Sequence, residues 1–394
     1  MINNNVKSLK STMIALLGRE PRSLADLQVI TQVSLPTLRQ ATQELKEGGW
    51  ICPVGRRSST GGRRATLYGL NGKSHIIIGI HLEVPALTMV VSGLDGQVID
   101  RVHLSNADEL RPDQAIKLIS NYVRQVQAKF SDRRLLGIGL AALGFIDPSS
   151  GEILFSRAPR WQNFPLKTRL EAEVGLPVII ENDIDCMTYA ELANDNISFK
   201  SNLLYLGFAE GVKVSLILDG RLYKGPFGNA GVLGLTTLTH SDLVDDPEKE
   251  IHLQDIASVG GACRVFDHRV STSTTLSAAL REISELNNHL EKFQAILNSA
   301  DSEPICYEIV SEIINILSTE ISKLIIVLQP SLLIVGGALS RMPPGLKTDM
   351  ENSIRGKLPS LISNHLLIKY AAMVGSRVAA VGAIFRFLER YDIE

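Results

Sequence analysis

Ten lysine and arginine residues fall within the first seventy positions against four acids, a net charge of +6, and the rest of the chain reverses the balance with 30 basic and 38 acidic residues, a net of −8. A small basic module on a larger acidic body suits a protein that must neutralise phosphates at one end and stay off them at the other. The asymmetry therefore predicts a DNA-binding head on a separate body. At 394 residues the chain is also too long for one ordinary core, and two or three domains are expected.

With 45% hydrophobic and 21% charged residues the composition is that of a folded soluble protein. Cys52, Cys186, Cys263 and Cys306 lie far apart and form no CxxC pair, so they read as ordinary thiols of a reducing cytosol. The start, MINNNVKSLK, has no apolar core of a signal peptide, and no later stretch approaches a membrane span. A cytoplasmic protein with no membrane partner is the expectation.

In the head, Val6, Leu9, Met13, Leu16 and Leu17 recur at helical spacing, and Gly18 with Pro21 supplies a stop. Ser23 opens a second helix with Leu24, Leu27 and Ile30 on one face. A short turn through Thr31, Gln32 and Val33 leads to Ser34, the N-cap of a third helix to Glu47 with Pro36 in its first turn. Two helices joined by so short a turn make a helix-turn-helix. On the third helix Leu38, Ala41 and Leu45 point inward, which leaves Thr37, Arg39, Gln40 and Gln43, with Ser34 at the cap, to meet base edges or phosphates in a major groove. Two strands follow, from Trp50 and from Ala65. The loop between them carries Arg56, Arg57, Arg63 and Arg64 and three glycines, a wing suited to the phosphate backbone or minor groove. A helical dimerisation module with a solvated basic loop is the plain alternative.

Beyond Gly72 the pattern changes to alternating strands and helices. Strands are predicted at 75–80, 87–91, 136–140 and 177–181, a hairpin turn at Asp95-Gly96, and helices at 113–130, 166–174 and 186–192. This is an α/β body in which β-meanders feed parallel strands.

The order of short motifs resembles a known family. Ser59-Thr-Gly-Gly-Arg-Arg64, Gly137-Ile-Gly-Leu140, Gly144-Phe-Ile-Asp147, Glu181-Asn-Asp183, Gly220 to Gly225, Gly228-Asn-Ala-Gly231 and Gln329 to Gly337 follow one another as in the ROK family (repressors, open reading frames and sugar kinases). The resemblance is to its repressor branch, with N-acetylglucosamine- and xylose-responsive members. It implies a winged helix-turn-helix at 1–72 and a two-lobed actin-like ATPase body of the ROK sugar-kinase type, with lobes at 73–185 and 186–394 and the final helix packing back on the first.

ROK kinases resemble one another in an early Asp-x-Gly-x-Thr turn, where this chain reads His81-Leu-Glu83-Val-Pro85, and in a Gly-x-Gly-x-Gly loop, where it reads Gly211-Val-Lys213-Val-Ser215. Backbone amides approach phosphates closely only where side chains are absent. Kinase activity is therefore not expected, and no nucleotide or other cofactor. Gly228 to Gly231 and Gly336-Gly337 are equally explained by tight turns and close strand packing.

The resemblance gives Asn182 and Asp183 the role of binding sugar hydroxyls, although an Asn-Asp pair after a strand can equally cap the next helix. Val232 and Leu235 stand where the family has a sugar-binding Glu and a His, and Gln254 where it has another carboxylate. Each sugar hydroxyl buried without a partner costs about 1–3 kcal/mol, so the effector differs or its site has moved. Asn163, Asn182, Asp183, Asn229 and Gln254 remain candidate ligand-binding residues, with Glu210 and Lys213 at the edge. Lys213 reads first as a solvated surface lysine and second as the partner of a phosphorylated or carboxylated ligand. The family's zinc site uses that His and a close cysteine cluster. With Leu235 in place and no cysteine between 236 and 262, no structural zinc is expected, and Cys263 reads as a buried thiol.

The resemblance implies a homodimer or dimer of dimers that binds a double-stranded operator and answers to a small-molecule sugar effector. Two other readings stay open: a sugar kinase with an accessory head, and a regulator controlled by a protein partner instead of a small molecule.

Overall fold

A computed structural model of the chain describes residues 9–18, 20–57, 64–83, 86–104, 110–156, 160–194, 202–238, 251–373, 375 and 377–393. The chain divides into two compact units, residues 1–197 with 375–394, and residues 198–374.

The first unit opens with helix α1 (Leu9–Leu17), which buries Met13, Ile14 and Leu17. Ser23 caps helix α2 (Leu24–Thr31). Its hydroxyl accepts from the Asp26 amide while the Asp26 carboxylate accepts from the Ser23 amide, so two otherwise orphaned N–H groups are satisfied together. Gln32, at φ 57°, ends α2 in the left-handed region and reverses the chain. Ser34 accepts from the Thr37 amide at the start of helix α3 (Leu35–Glu47), where Pro36 sits in a turn that needs no N–H from it. The expected inner face of α3 is present, with Leu38, Ala41 and Leu45 buried. That of α2 is narrower: Leu27 is buried, but Ile30 is 39% exposed. Three residues on from Leu27 the helix has turned about 60° off that line. Strands β1 (Ile51–Arg56) and β2 (Thr66–Leu70) pair antiparallel, and Arg22 adds a bridge to Tyr68, completing a winged helix.

Strands β3 (His75–Glu83), β4 (Ala86–Gly93) and β5 (Val98–Leu104) form an antiparallel meander, followed by helix α4 (Pro112–Lys129) and strand β6 (Arg134–Ala142). A small sheet of β7 (Phe145–Ile146), β8 (Ile153–Phe155) and β9 (Gln162–Phe164) leads through helix α5 (Leu166–Val174) to β10 (Val178–Asn182) and helix α6 (Asp183–Asn194). The main sheet has the order β10-β6-β3-β4-β5, with β3, β6 and β10 parallel. From Ile76 to Leu82 β3 is buried on both faces, which is why its sequence runs apolar instead of alternating.

The second unit repeats the plan. Strands β11 (Leu203–Phe208), β12 (Val212–Leu218) and β13 (Arg221–Leu222) form the meander. The ribbon β14 (Thr237–Leu238) and β15 (Ile251–His252) precedes helices α7 (Leu253–Ile256), α8 (Val259–Thr272), α9 (Ala278–Glu285), α10 (His289–Ser299) and α11 (Pro304–Leu328). Strand β16 (Leu332–Gly337), helices α12 (Pro344–Gly356) and α13 (Ser360–His365) and strand β17 (Leu367–Tyr370) complete a sheet of order β13-β12-β11-β16-β17. Its parallel pairs, β11 with β16 and β16 with β17, mirror β3, β6 and β10. The inner face of α11 runs from Cys306 to Ile325 through the core of this unit.

Helix α14 (Arg377–Arg390) lies on β3, β4, β6 and β10 and against α6 of the first unit. Backbone meets backbone there. A Cβ on Gly382 would stand 1.7 Å from the Cys186 carbonyl oxygen, and one on Gly79 would stand 2.1 Å from that of Ala380. Helix α6 runs continuously through position 186 and packs on α14, so in the structure it goes with the first unit.

Candidate functional site

The helix-turn-helix presents Ser34, Thr37, Arg39, Gln40 and Gln43 on the exposed side of α3. Gln40 donates to Glu44 at 3.1 Å and Gln43 to Glu47 at 2.6 Å, so each amide is held along the helix while its other edge stays open. At the wing, Arg56 and Arg64 are exposed, and Arg63 lies outside the described residues. Arg57 is committed elsewhere: its two Nη atoms donate to the two Asp26 oxygens at 3.1 and 3.0 Å, clamping the base of the wing to the cap of α2. Burial raises the Asp26 pKa, but the Ser23 hydrogen bonds and then Arg57 outweigh it, and the carboxyl ends below its usual value.

In the first unit Asn182 performs the capping role. Its Oδ1 accepts from the amides of Ile184 at 3.1 Å and Asp185 at 3.4 Å, and its Nδ2 donates to the Gly144 carbonyl at 3.4 Å. Asp183 follows as the first residue of α6 and is buried. Gly144 in turn abuts Phe155 and Ser156, so Asn182, the Gly144 turn and the end of β8 form one neighbourhood. Asn163 sits on β9 at φ 47°, exposed, on the strand that pairs with β8. Beside it a cavity of about 360 Å³ is lined by Phe155, Ser156, Arg160, Trp161 and Gln162. Among the described residues the buried Ser156 hydroxyl has no hydrogen-bond partner. Sequence reasoning missed this group; its one signal was an arginine and a tryptophan side by side just before Asn163.

In the second unit Asn229 donates to the Phe227 carbonyl at 2.8 Å and so holds its own turn. Gly231, at φ 84°, allows its turn to press on Val214, whose amide donates to the Gly231 carbonyl at 2.7 Å. The Gln254 side-chain oxygen lies against Gly211 and Gly234, which brings it to the loop after β11. In that loop exposed Glu210 meets His289 at 3.1 Å. The solvated reading of Lys213 is corrected: it is 7% exposed on β12, because both faces of that strand are covered. Leu235 is 39% exposed.

Among the described residues no cluster of three His, Cys, Asp or Glu side chains is placed to hold a metal ion, and no helix is long and apolar enough to cross a membrane. Cys263 and Cys306 are buried, and burial pushes their thiols up to about 12, which keeps them neutral.

The ROK family model matches residues 77–389. The chain belongs to the ROK family. It is similar to the xylose repressor of Caldicellulosiruptor bescii, 25% identical over 328 residues that cover 82% of this chain and 81% of that protein. Its fold matches the crystal structure of a ROK family transcriptional regulator, a homologue of the E. coli MLC protein, with TM-score 0.76 at 18% identity over 97% of each chain. A ROK family glucokinase from Streptomyces griseus, solved with glucose and AMPPNP, matches with TM-score 0.63 at 20% identity, covering 78% of this chain and 98% of its own. ROK relatives thus include both regulators and kinases.

Strand β3 ends at Glu83. There His81 is buried, with its Nδ1 3.5 Å from the Glu83 carboxylate. The β11–β12 hairpin carries Glu210 and Gly211 at its tip.

Proposed function

We propose that this ROK protein is a cytoplasmic, DNA-binding transcriptional regulator, a repressor of carbohydrate-utilisation genes, whose body binds a sugar or sugar derivative without phosphorylating it. The observation that carries the reading is a helix-turn-helix followed by a two-stranded hairpin, with Arg39, Gln40 and Gln43 outward, on the same chain as a ROK body whose sequence has neither glycine turn of the family's kinases. A homodimer would set two such heads on the half-sites of a palindrome. Asn182, Asp183, Asn163, Asn229 and Gln254 are the proposed sugar contacts.

The test is a gel shift of the purified protein on its own upstream promoter DNA, repeated with pentoses, hexoses, amino sugars and their phosphates. Specific binding released by one sugar is the expected result. Binding that no sugar alters would favour control by a protein partner, for which Val232 and the exposed Leu235 are the motive. ATP-dependent phosphorylation of a sugar in a coupled assay would overturn the non-catalytic reading. The effector should also raise stability by about 2.7 kcal/mol at a hundred times its dissociation constant.

A further inference from the structure

We propose that the segment Tyr391 to Ile393, which follows α14, is a latch that couples helix α6, which Asn182 caps and Asp183 opens, to the DNA-binding head; the inference rests on the regulator reading above. The structural relationship is a continuous set of contacts inside the first unit. At the ligand end, α14 touches α6 backbone to backbone at Gly382 and Cys186. The Arg386 guanidinium donates to Glu181, the residue before Asn182, and to the Tyr189 hydroxyl on α6 at 2.8 Å. A shift of α6 as a ligand engages its first turn must therefore move α14 or break buried contacts.

At the other end, Phe387 stacks on Tyr391 with ring centroids 5.2 Å apart, and Tyr391 packs on Trp50 at 6.0 Å. Trp50 lies just beyond α3, its amide donating to Leu45 of that helix at 2.8 Å, and its other side stacks on His75 at 4.3 Å. The next residues grip α1. The buried Ser11 hydroxyl donates to Asp392 at 2.7 Å and accepts from the Ile393 amide at 2.7 Å. These three consecutive residues thus hold the head at two points, Trp50 just beyond its recognition helix and the middle of α1, where α1 also packs on α14 itself.

These contacts suit a switch better than a permanent weld. The segment has no regular secondary structure, Asp392 is exposed and Tyr391 half-buried. Each hydrogen bond of this kind is worth only about a five-fold factor in an equilibrium, within reach of a ligand that prefers one state. Coupling is reciprocal, so operator DNA bound at the head must also be felt at α14 and α6.

Hydrogen exchange on the full chain, with and without its upstream promoter DNA, tests this. In the wild type, bound DNA should slow amide exchange in α14 and α6 as well as in α1 to α3. In Ser11→Ala, and independently in Asp392→Ala, DNA should still bind, within roughly ten-fold of the wild-type affinity, and still slow the head, but no longer slow α14 or α6. Asp392 is exposed, so its replacement does not threaten folding. Slowing of α14 and α6 that persists in both variants, or is absent in DNA-bound wild type, would overturn the latch while leaving the regulator reading intact. A wild-type chain that binds no promoter DNA would remove the regulator reading and the latch with it.

Discussion

Arg386 donates through Nε and Nη2 to a single oxygen of Glu181, at 3.1 and 2.9 Å, with the two side chains only 7% and 3% exposed. Burial alone would lower the guanidinium pKa, but Tyr189, Glu181 and Glu389 outweigh it and hold Arg386 charged. Its Nη1 also bonds Glu389, its face lies over the Tyr189 ring at 4.5 Å, and Arg390 stands 3.6 Å from Glu181. The pair fastens α14 to the strand that delivers Asn182. A buried ion pair adds little over an apolar pair of the same shape, but a broken one is expensive.

Arg386→Met should accordingly lower stability by about 3–5 kcal/mol, because the buried Glu181 loses its close guanidinium partner and Arg390 stands 3.6 Å away. The double variant with Glu181→Leu should recover much of the loss. Urea unfolding of the two would decide it: equal losses would show that the charges are not coupled.

The wing should reveal itself through salt. Arg63→Ala with Arg64→Ala is expected to weaken binding to every DNA sequence and to flatten the slope of log affinity against log salt by about one unit per lost phosphate contact. Arg57→Ala should behave differently, lowering the head's thermal stability as well, since Arg57 spans to Asp26. Unchanged affinity in the double variant would take the wing out of the DNA interface.

Asp183→Asn should abolish the response to inducer and leave operator affinity as it was, measured by gel shift with and without the active sugar. Asn182→Ala should instead cost about 1 kcal/mol of stability, the worth of a helix cap, because its side chain holds the Ile184 and Asp185 amides. Induction that survives in Asp183→Asn would locate the pocket elsewhere.

Acid titration isolates the turn between β7 and β8. The Ser149 hydroxyl, the Ser150 amide and further bonds from the same two residues hold the Asp147 carboxyl down to about 2. A depressed carboxylate stabilises the fold above its unfolded pKa, near 3.9, and loses that contribution as pH falls through the folded value. Wild type should therefore exceed Asp147→Asn in stability above about pH 4, with the gap closing toward pH 2. A gap that does not change with pH would mean that the charge contributes nothing.

Much of the head was legible because its determinants are local. Ser23 and Ser34 as caps, Leu38, Ala41 and Leu45 at helical spacing and the glycines and arginines of the wing all act within a few residues of themselves, and their positions alone specify helix, turn, helix and hairpin. The apolar strand expected at 75–80, which the structure carries on to Glu83, and the ROK motif order were read equally directly. Ile30 was misjudged because periodicity gives a direction and not how far a neighbouring helix extends.

Only the tertiary structure decided the rest. Lys213 is buried because other elements cover both faces of β12, which no alternation in β12 itself records. Asn182 caps α6 with its side-chain oxygen and donates to Gly144 through its nitrogen, and the second bond exists only because the fold brings the Gly144 turn alongside. The joining of Glu181 to Arg386, 205 residues away, and of Ser11 to Asp392, 381 residues away, left no pattern in the sequence. Short-range propensity writes a period that can be read along the chain, whereas a long-range contact depends on where two segments meet once the core has closed around them.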